Sequence, residues 1–127
     1  MKTKRKSALF LFSLFTFVAF WSDPSNAQDA VQMDPKHHKI EFENDHVRVL
    51  RINFGPGEIS QMHQHPCALA IGISNSDLTF HLPDGSTKPA KLKHGQVIVA
   101  KPITHNPENK TQTPAEVILV ELKDGGC

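Results

Sequence analysis

The 127-residue sequence contains no tyrosine and one tryptophan, and it has no room for a second folded domain. The tryptophan and five of the eight phenylalanines lie within residues 1–27. The rest of the chain has only Phe42, Phe54 and Phe80 as aromatic side chains, which leaves few stacking platforms for bases or sugar rings. Residues 28–127 carry ten basic and twelve acidic residues, so we expect no nucleic-acid partner.

The first 27 residues have the order of a secretory signal. Four basic residues lie within the first six, residues 8–21 are apolar and uncharged, and Ser25, Asn26 and Ala27 supply small residues at a cleavage site. The apolar run is shorter than the roughly 20 residues that span a bilayer. We therefore expect cleavage after Ala27 and a periplasmic or secreted protein without a membrane attachment. The expected organisation is a signal peptide over 1–27, a flexible lead over 28–36, one domain over 37–123 and a flexible tail over 124–127.

Short apolar and β-branched segments follow one another from residue 39 onward. Turn signals such as Gly55-Pro56-Gly57 separate them, and no stretch of about 12 residues has the helical spacing of apolar positions. The sequence therefore predicts an all-β domain, folded as a sandwich, a jelly roll or a small barrel. The predicted strands lie around Ile40 and Phe42 and over residues 47–54, 59–65, 68–74, 77–82, 87–93, 96–100 and 115–122.

All eight histidines lie in residues 28–127, and two of them form a His-x-His pair. In a strand, His63 and His65 project from the same face, so both imidazoles can bind one metal ion. His105, which follows the predicted strand 96–100, is the best candidate for a third ligand.

The histidine pair belongs to a longer pattern with two parts. The first part is a glycine, five residues and His-x-His; the second opens with a glycine and ends in His-x3-Asn. The positions are Gly57, His63 and His65 in the first part, and Gly95, Pro102, His105 and Asn109 in the second. This pattern, over about residues 36–123, resembles the cupin family, in particular small single-domain secreted bacterial cupins. The resemblance implies a small cupin-type jelly-roll β-barrel with a metal site formed by the three histidines.

The resemblance departs from the family pattern at the metal-binding glutamate. Leu69 or Ala70 stands at that position, and neither can bind a cation. The implied site is therefore three neutral imidazoles, which suit Fe, Zn, Cu or Ni better than Mn. A three-histidine site resembles that of the thiol and diketone-cleaving dioxygenases among the cupins, which implies a non-haem iron oxygenase if the protein is an enzyme. The absence of tyrosine makes a direct likeness to cysteine dioxygenase poor.

Three further residues are candidates for a role beside the metal. Arg51, or Arg48 on the opposite face of the same strand, could hold a substrate carboxylate, or both could be solvated. Cys67 could be a metal ligand, a small buried apolar side chain, or a disulfide partner of Cys127 within or between molecules. His81 could be an outer hydrogen-bond donor or a general base if it faces inward.

The other histidines have simpler interpretations. His37 and His38 precede the first strand, where an exposed pair or a loose accessory metal site is expected, and His46 and His94 adjoin turns and are expected to be solvated. Three functional classes are consistent with the sequence. The leading one is an exported cupin that binds a divalent transition metal and a small-molecule ligand or substrate. The others are a metal-free ligand-binding cupin and a structural domain that forms a homodimer through its sheet edges.

Overall fold

A computed structural model describes residues 28–127. The predicted signal peptide, residues 1–27, lies outside the described residues. Nine strands and one short helix make up the described chain, and none of its helices is long and apolar enough to cross a membrane. The elements are α1 (Ala30–Met33), β1 (His38–Glu43), β2 (Val47–Phe54), β3 (His63–His65), β4 (Ala68–Gly72), β5 (Ser76–His81), β6 (Thr87–Leu92), β7 (Val97–Ala100), β8 (Ile103–Glu108) and β9 (Ala115–Leu122).

The strands form two antiparallel sheets. One has the order β1-β2-β9-β4-β7 and the other the order β3-β8-β5-β6. The prediction of an all-β fold is confirmed. Within residues 28–127, each sheet keeps two edge strands, so the predicted barrel is instead a pair of facing sheets that do not close by continuous hydrogen bonding.

Strand alternation explains how the two sheets enclose a core. In β2, Leu50, Ile52 and Phe54 are buried, whereas Asn53 between them is exposed. Leu78 from β5 and Leu92 from β6 reach the same core from the other sheet. The remaining buried core side chains come from β4 and β9 and are Ala68, Ala70, Ala115 and Leu119.

One strand was missed by the sequence prediction. β8 contains Pro107 and follows Pro102, and proline is unfavourable in a strand because it lacks the backbone N–H. The structure accommodates β8 by pairing its first half with β3 and its second half with β5. His105, predicted to follow a strand, therefore lies within one.

The segment predicted as a flexible lead is attached to the sheets. Asp29 caps α1 by accepting from the backbone N–H groups of Val31 and Gln32, and its other carboxylate oxygen accepts from Arg48 Nη2 at 2.6 Å. The backbone carbonyl of Gln28 accepts from the N–H of Gln64 at 2.7 Å. These bonds bring the N-terminal segment against β2 and β3.

The end of the chain is held by a disulfide. Cys67, buried before β4, is bonded to Cys127, with their Cα atoms 5.5 Å apart. Its sulfur is therefore not a metal ligand in this structure, and the predicted flexible tail is anchored at its last residue.

We expect Cys127→Ser to destabilise the folded protein. The disulfide closes a loop with a sequence separation of 60 residues, and the chain-entropy model gives about 4 kcal/mol for such a loop. Urea unfolding of the wild type with and without reductant provides the control, since reductant should lower the wild-type midpoint and leave the variant unchanged. Equal midpoints for oxidised wild type and variant would contradict this assignment.

Candidate metal centre

The pairing of β3 with β8 brings the three predicted ligands together. His63 lies directly opposite His105, and His65 lies opposite Ile103, the residue two positions before His105. His63 and His65 share one face of β3 because side chains two apart in a strand point the same way. All three imidazoles are buried.

The ring positions are those of a compact cluster. The Nε2 atoms of His63 and His65 are 3.0 Å apart. The ring centroid of His105 lies 4.9 Å from that of His63 and 5.4 Å from that of His65. Two nitrogens that bind one ion at about 2.1 Å and at a right angle lie about 3.0 Å apart, so the His-x-His pair fits a shared cation.

A fourth histidine completes the cluster. His38, the first residue of β1, is only 1% exposed, and its ring centroid lies 4.6 Å from that of His63. One ring nitrogen from each of His38, His63 and His65 lies within 4.8 Å of the other two. Of the two alternatives expected for His37 and His38, the exposed pair is wrong, because the helical segment before β1 folds both inward. The other, an accessory metal site, agrees with the position of His38 in the cluster.

Hydrogen bonds on the outer side of three rings fix which nitrogen faces the cluster. The Nδ1 atom of His63 contacts the carbonyl oxygen of Gln61 at 2.8 Å, and Nδ1 of His38 contacts that of Asp34 at 3.1 Å. A carbonyl only accepts, so each Nδ1 carries the proton and each Nε2 presents a lone pair. Nδ1 of His65 contacts the carboxylate of Glu121 at 2.7 Å in the same manner.

Several ring nitrogens in the cluster lack a partner. Within residues 28–127, neither nitrogen of His105 has a hydrogen-bond partner, and Nε2 of His38 has none either. Buried polar atoms without partners cost about 1–3 kcal/mol each, so their concentration here requires an explanation. A cation bound among the rings would satisfy atoms that the protein alone leaves unpaired.

Burial keeps three of the imidazoles in the neutral form and so available as ligands. Burial, with a smaller contribution from repulsion between the rings, lowers the pKa of His38 to about 4, that of His63 to about 3 and that of His105 to about 2. These three rings are neutral at pH 7. The neutral imidazole is the form that binds a metal ion.

A buried ion pair lies behind His65. Glu121, which is 2% exposed, accepts from His65 Nδ1 at 2.7 Å and from Arg48 Nε at 2.6 Å. Burial alone would raise the pKa of the Glu121 carboxyl, but the hydrogen bonds from His65 and Arg48 outweigh it and lower that pKa. A carboxylate bonded to the outer nitrogen of a histidine orients the ring and raises its basicity as a ligand.

Strand phase could have identified both members of this pair. Glu121 alternates with the buried Leu119 in β9, and Arg48 alternates with the buried Leu50 in β2. A charged residue at an inward position of a core strand is such a signal, and it was considered for Arg48 but not for Glu121. Strand phase could not have identified His38. The other five residues of β1 are all exposed, so this strand has no buried residues with which His38 could be in phase.

The other candidates lie outside the cluster. Arg51 is on the outer face of its sheet, where it pairs with Glu41 and Glu116, so Arg48 and not Arg51 is the arginine near the site. His81 is half-buried and pairs with Glu108 at 2.7 Å on the side of β5 opposite Phe80. His46 and His94 are exposed, as predicted.

A cavity of about 160 Å³ lies beside the cluster. His38, His65 and His105 contribute to its wall, and Phe80 stands against His105 with their ring centroids 4.1 Å apart. Most of the remaining wall is apolar, and Ala70, at one of the two positions expected to carry the family's glutamate, is part of it. Leu78, Leu92, Ala100, Ile103 and Leu119 also line it.

Solved structures share this architecture. A cupin domain from Bordetella pertussis has a TM-score of 0.62 and 22% identity, over 68% of this chain and 91% of that chain. A conserved protein with a double-stranded β-helix domain from Klebsiella pneumoniae has a TM-score of 0.51 and 22% identity, over 81% and 84% of the two chains. A cupin family protein from Methanocaldococcus jannaschii has a TM-score of 0.52 and 18% identity, over 67% and 77%. No protein-family model and no curated protein matches the sequence. The structural likenesses confirm the predicted cupin fold.

Burial of neutral imidazoles predicts a pH-dependent stability for the metal-free protein. The folded-state pKa values of His38, His63 and His105 lie below the usual value of 6.5, so on acidification the unfolded chain binds protons that the folded chain does not. Lowering the pH from about 7.5 to 5.5 should therefore reduce the free energy of unfolding by about 1 kcal/mol for each of the three rings. Urea unfolding in the presence of a chelator measures this, and His105→Leu should shrink the pH effect. A free energy of unfolding that is constant over this range would contradict the burial of neutral rings.

Proposed function

We propose that this chain, which has the cupin fold, is an exported protein that binds a divalent transition metal through buried histidines and a small molecule in the adjoining cavity. The predicted ligands His63, His65 and His105 form the core of the site, and His38 joins them as a fourth imidazole. The observation that carries the proposal is the set of unpartnered ring nitrogens, on His38 and His105, beside the closely spaced Nε2 atoms of His63 and His65.

The donor set favours some metals over others. Neutral imidazoles suit Fe, Zn, Cu and Ni, whereas Mn prefers oxygen donors. The carboxylate of Glu121 is engaged by His65 and Arg48 and serves to orient a ligand. The buried carboxylate of Asp34 lies 3.8 Å from Nδ1 of His38. When bound, such an ion would polarise a coordinated small molecule or, in the case of iron, support chemistry with O₂. An oxygenase remains the enzymatic form of the proposal.

The disulfide supports export. Disulfides persist in oxidising compartments and are rare in the cytosol, and Cys67–Cys127 joins the only two cysteines of the sequence. A periplasmic or secreted location agrees with the expected cleavage after Ala27.

A metal-free ligand-binding protein is the second candidate. The largely apolar cavity favours it, because such a space can hold a small molecule without a metal. The exposed side chains of Val97 and Val99 on β7, an edge strand, are consistent with the predicted homodimer.

Removal of single imidazoles should distinguish the two candidates. We expect His63→Ala, His65→Ala and His105→Ala each to weaken Zn²⁺ binding by more than the roughly 10–100-fold that loss of an outer hydrogen-bond partner costs. The measurement is competition with a chromophoric chelator, using untagged protein whose folding is checked by circular dichroism. His81→Ala, outside the cluster, is the matched control and should bind as the wild type does. Unchanged Zn²⁺ binding in His63→Ala and His105→Ala would favour the metal-free candidate.

The orienting role of Glu121 gives a separate test. Glu121→Gln replaces a carboxylate acceptor with a weaker amide one, and we expect it to lower metal affinity by about tenfold. Glu116→Gln changes the same kind of residue on the same strand, where it pairs with Arg51 on the outer face, and should leave the affinity unchanged. If both variants bind Zn²⁺ like the wild type, Glu121 does not support the site.

A further inference from the structure

The first described residues of the chain fold back over the histidine cluster. We call residues 28–38 the N-terminal arm. The arm ends at His38, whose ring centroid lies 4.6 Å from that of His63 and 5.6 Å from that of His65. At its other end, the carbonyl of Gln28 accepts from the N–H of Gln64, the residue between those two histidines. The arm therefore passes along β3 and supplies one side of the cluster.

Polar groups hold the arm in place. Asp29 pairs with Arg48, the arginine of the ion pair behind His65. The carboxylate of Asp34 accepts from the hydroxyl of Ser60. Both contacts lead, directly or through one further residue, to a ring of the cluster. The docking of the arm and the arrangement of the rings therefore depend on each other.

Apolar burial contributes little to this docking. The helix of the arm, α1, has four residues and is too short to be stable by itself. Ala30 is the only apolar residue within 28–38 that is buried, and the ring of His37 stacks on Phe54 with centroids 4.3 Å apart. The other buried side chains of the arm are polar, namely Asp34 and His38. Segments with few buried apolar contacts open locally at low cost.

Closure of the arm has a cost that a bound ion removes. With the arm docked, His38 is 1% exposed and its Nε2 has no hydrogen-bond partner among the described residues. Burying a polar atom without a partner is unfavourable. An ion bound to this nitrogen removes that cost only when the arm is closed, so it shifts the equilibrium toward closure. By reciprocity, an arm that closes more readily makes the ion bind more tightly.

Two spaces reach the rings of the cluster, and they differ in charge. Among the described residues that line the apolar cavity there is no carboxylate, whereas Lys91 and Lys101 are present. The second space is a recess beside the start of the arm. Its charged lining residues, three acidic and two basic, are Asp29, Glu43, Glu121, Arg48 and Lys123. A hydrated cation is repelled by the first surface and attracted by the second, so the side of the arm is the favoured route.

We propose that the N-terminal arm is a closure that a bound metal ion holds shut, and that the ion enters and leaves the cluster when the arm opens. His38 links the two events, because it is both the last residue of the arm and a member of the cluster. Opening the arm withdraws His38 from His63 and His65 and uncovers their inner nitrogens. The inference rests on the proposed function, since the bound ion supplies the free energy that holds the arm.

Hydrogen exchange of backbone amides tests the closure, with untagged protein that is either metal-free or saturated with Zn²⁺. The hydrogen-bonded amides of Met33 and Asp34 report on the arm, and Zn²⁺ should slow their exchange by roughly tenfold or more. In His38→Ala, which keeps three imidazoles, saturating Zn²⁺ should no longer protect them. His105→Ala, the matched control, removes an imidazole that is not on the arm, so saturating Zn²⁺ should still protect these amides.

The rate of Zn²⁺ loss to excess chelator tests the route. Asp29→Ala removes the cap of α1 and the partner of Arg48 without changing a ligand, and it should speed the loss by about fivefold or more because a lost cap destabilises the docked arm. Asp77→Ala breaks an exposed pair with Lys91 outside the arm and should leave the rate unchanged. Ile98→Trp obstructs the cavity and should also leave the rate unchanged.

Failure of this inference can be distinguished from failure of the proposed function. A wild type that binds no Zn²⁺ overturns both. Zn²⁺ binding that leaves the arm unprotected, or that protects it equally in His38→Ala, overturns the closure alone. Loss of Zn²⁺ from Asp29→Ala at the wild-type rate, or slower loss from Ile98→Trp, overturns the route. If His38→Ala fails to fold, the rates for Asp29→Ala and Ile98→Trp decide.

Discussion

The structure depends on the burial of four imidazole rings against one another. His38, His63, His65 and His105 are each at most 5% exposed, and their lowered pKa values, where shifted, follow from burial and mutual repulsion. Such a cluster is unfavourable unless the rings are neutral and their nitrogens have partners. The protein supplies partners for the outer nitrogens of three rings and leaves the inner ones for a cation.

The N-terminal segment and the last strand provide two of those three outer partners, and Gln61 provides the third. The backbone carbonyl of Asp34 accepts from Nδ1 of His38, and the carboxylate of Glu121 on β9 accepts from Nδ1 of His65. Arg48 then joins Glu121 to Asp29 at the start of α1, so one chain of charged groups runs from the helix cap to the histidine cluster. Residues 28–36, expected to be a flexible lead, are thus part of the framework of the site.

Strand phase and motif spacing predicted much of this molecule. The predicted segments 47–54 and 115–122 coincide with β2 and β9. The spacing of the cupin-like pattern identified His105 as the neighbour of the His-x-His pair, although the strand that contains it, β8, was not predicted. The approach of His38 and the pairing of the cysteines depend on contacts between distant segments, which no local pattern encodes. The alternative between Arg51 and Arg48 could have been decided from the sequence, because Leu50, Ile52 and Phe54 share the strand phase of Arg48.

The central claim is that a metal ion occupies the histidine cluster. X-ray absorption spectroscopy of the untagged protein, as isolated from the compartment to which it is exported, tests this most directly because it reports both the metal and its ligands. The account predicts a first-row transition-metal edge with three or four imidazole nitrogens at about 2.0–2.2 Å. An edge absent above background, or a first shell made of oxygen alone, would contradict it.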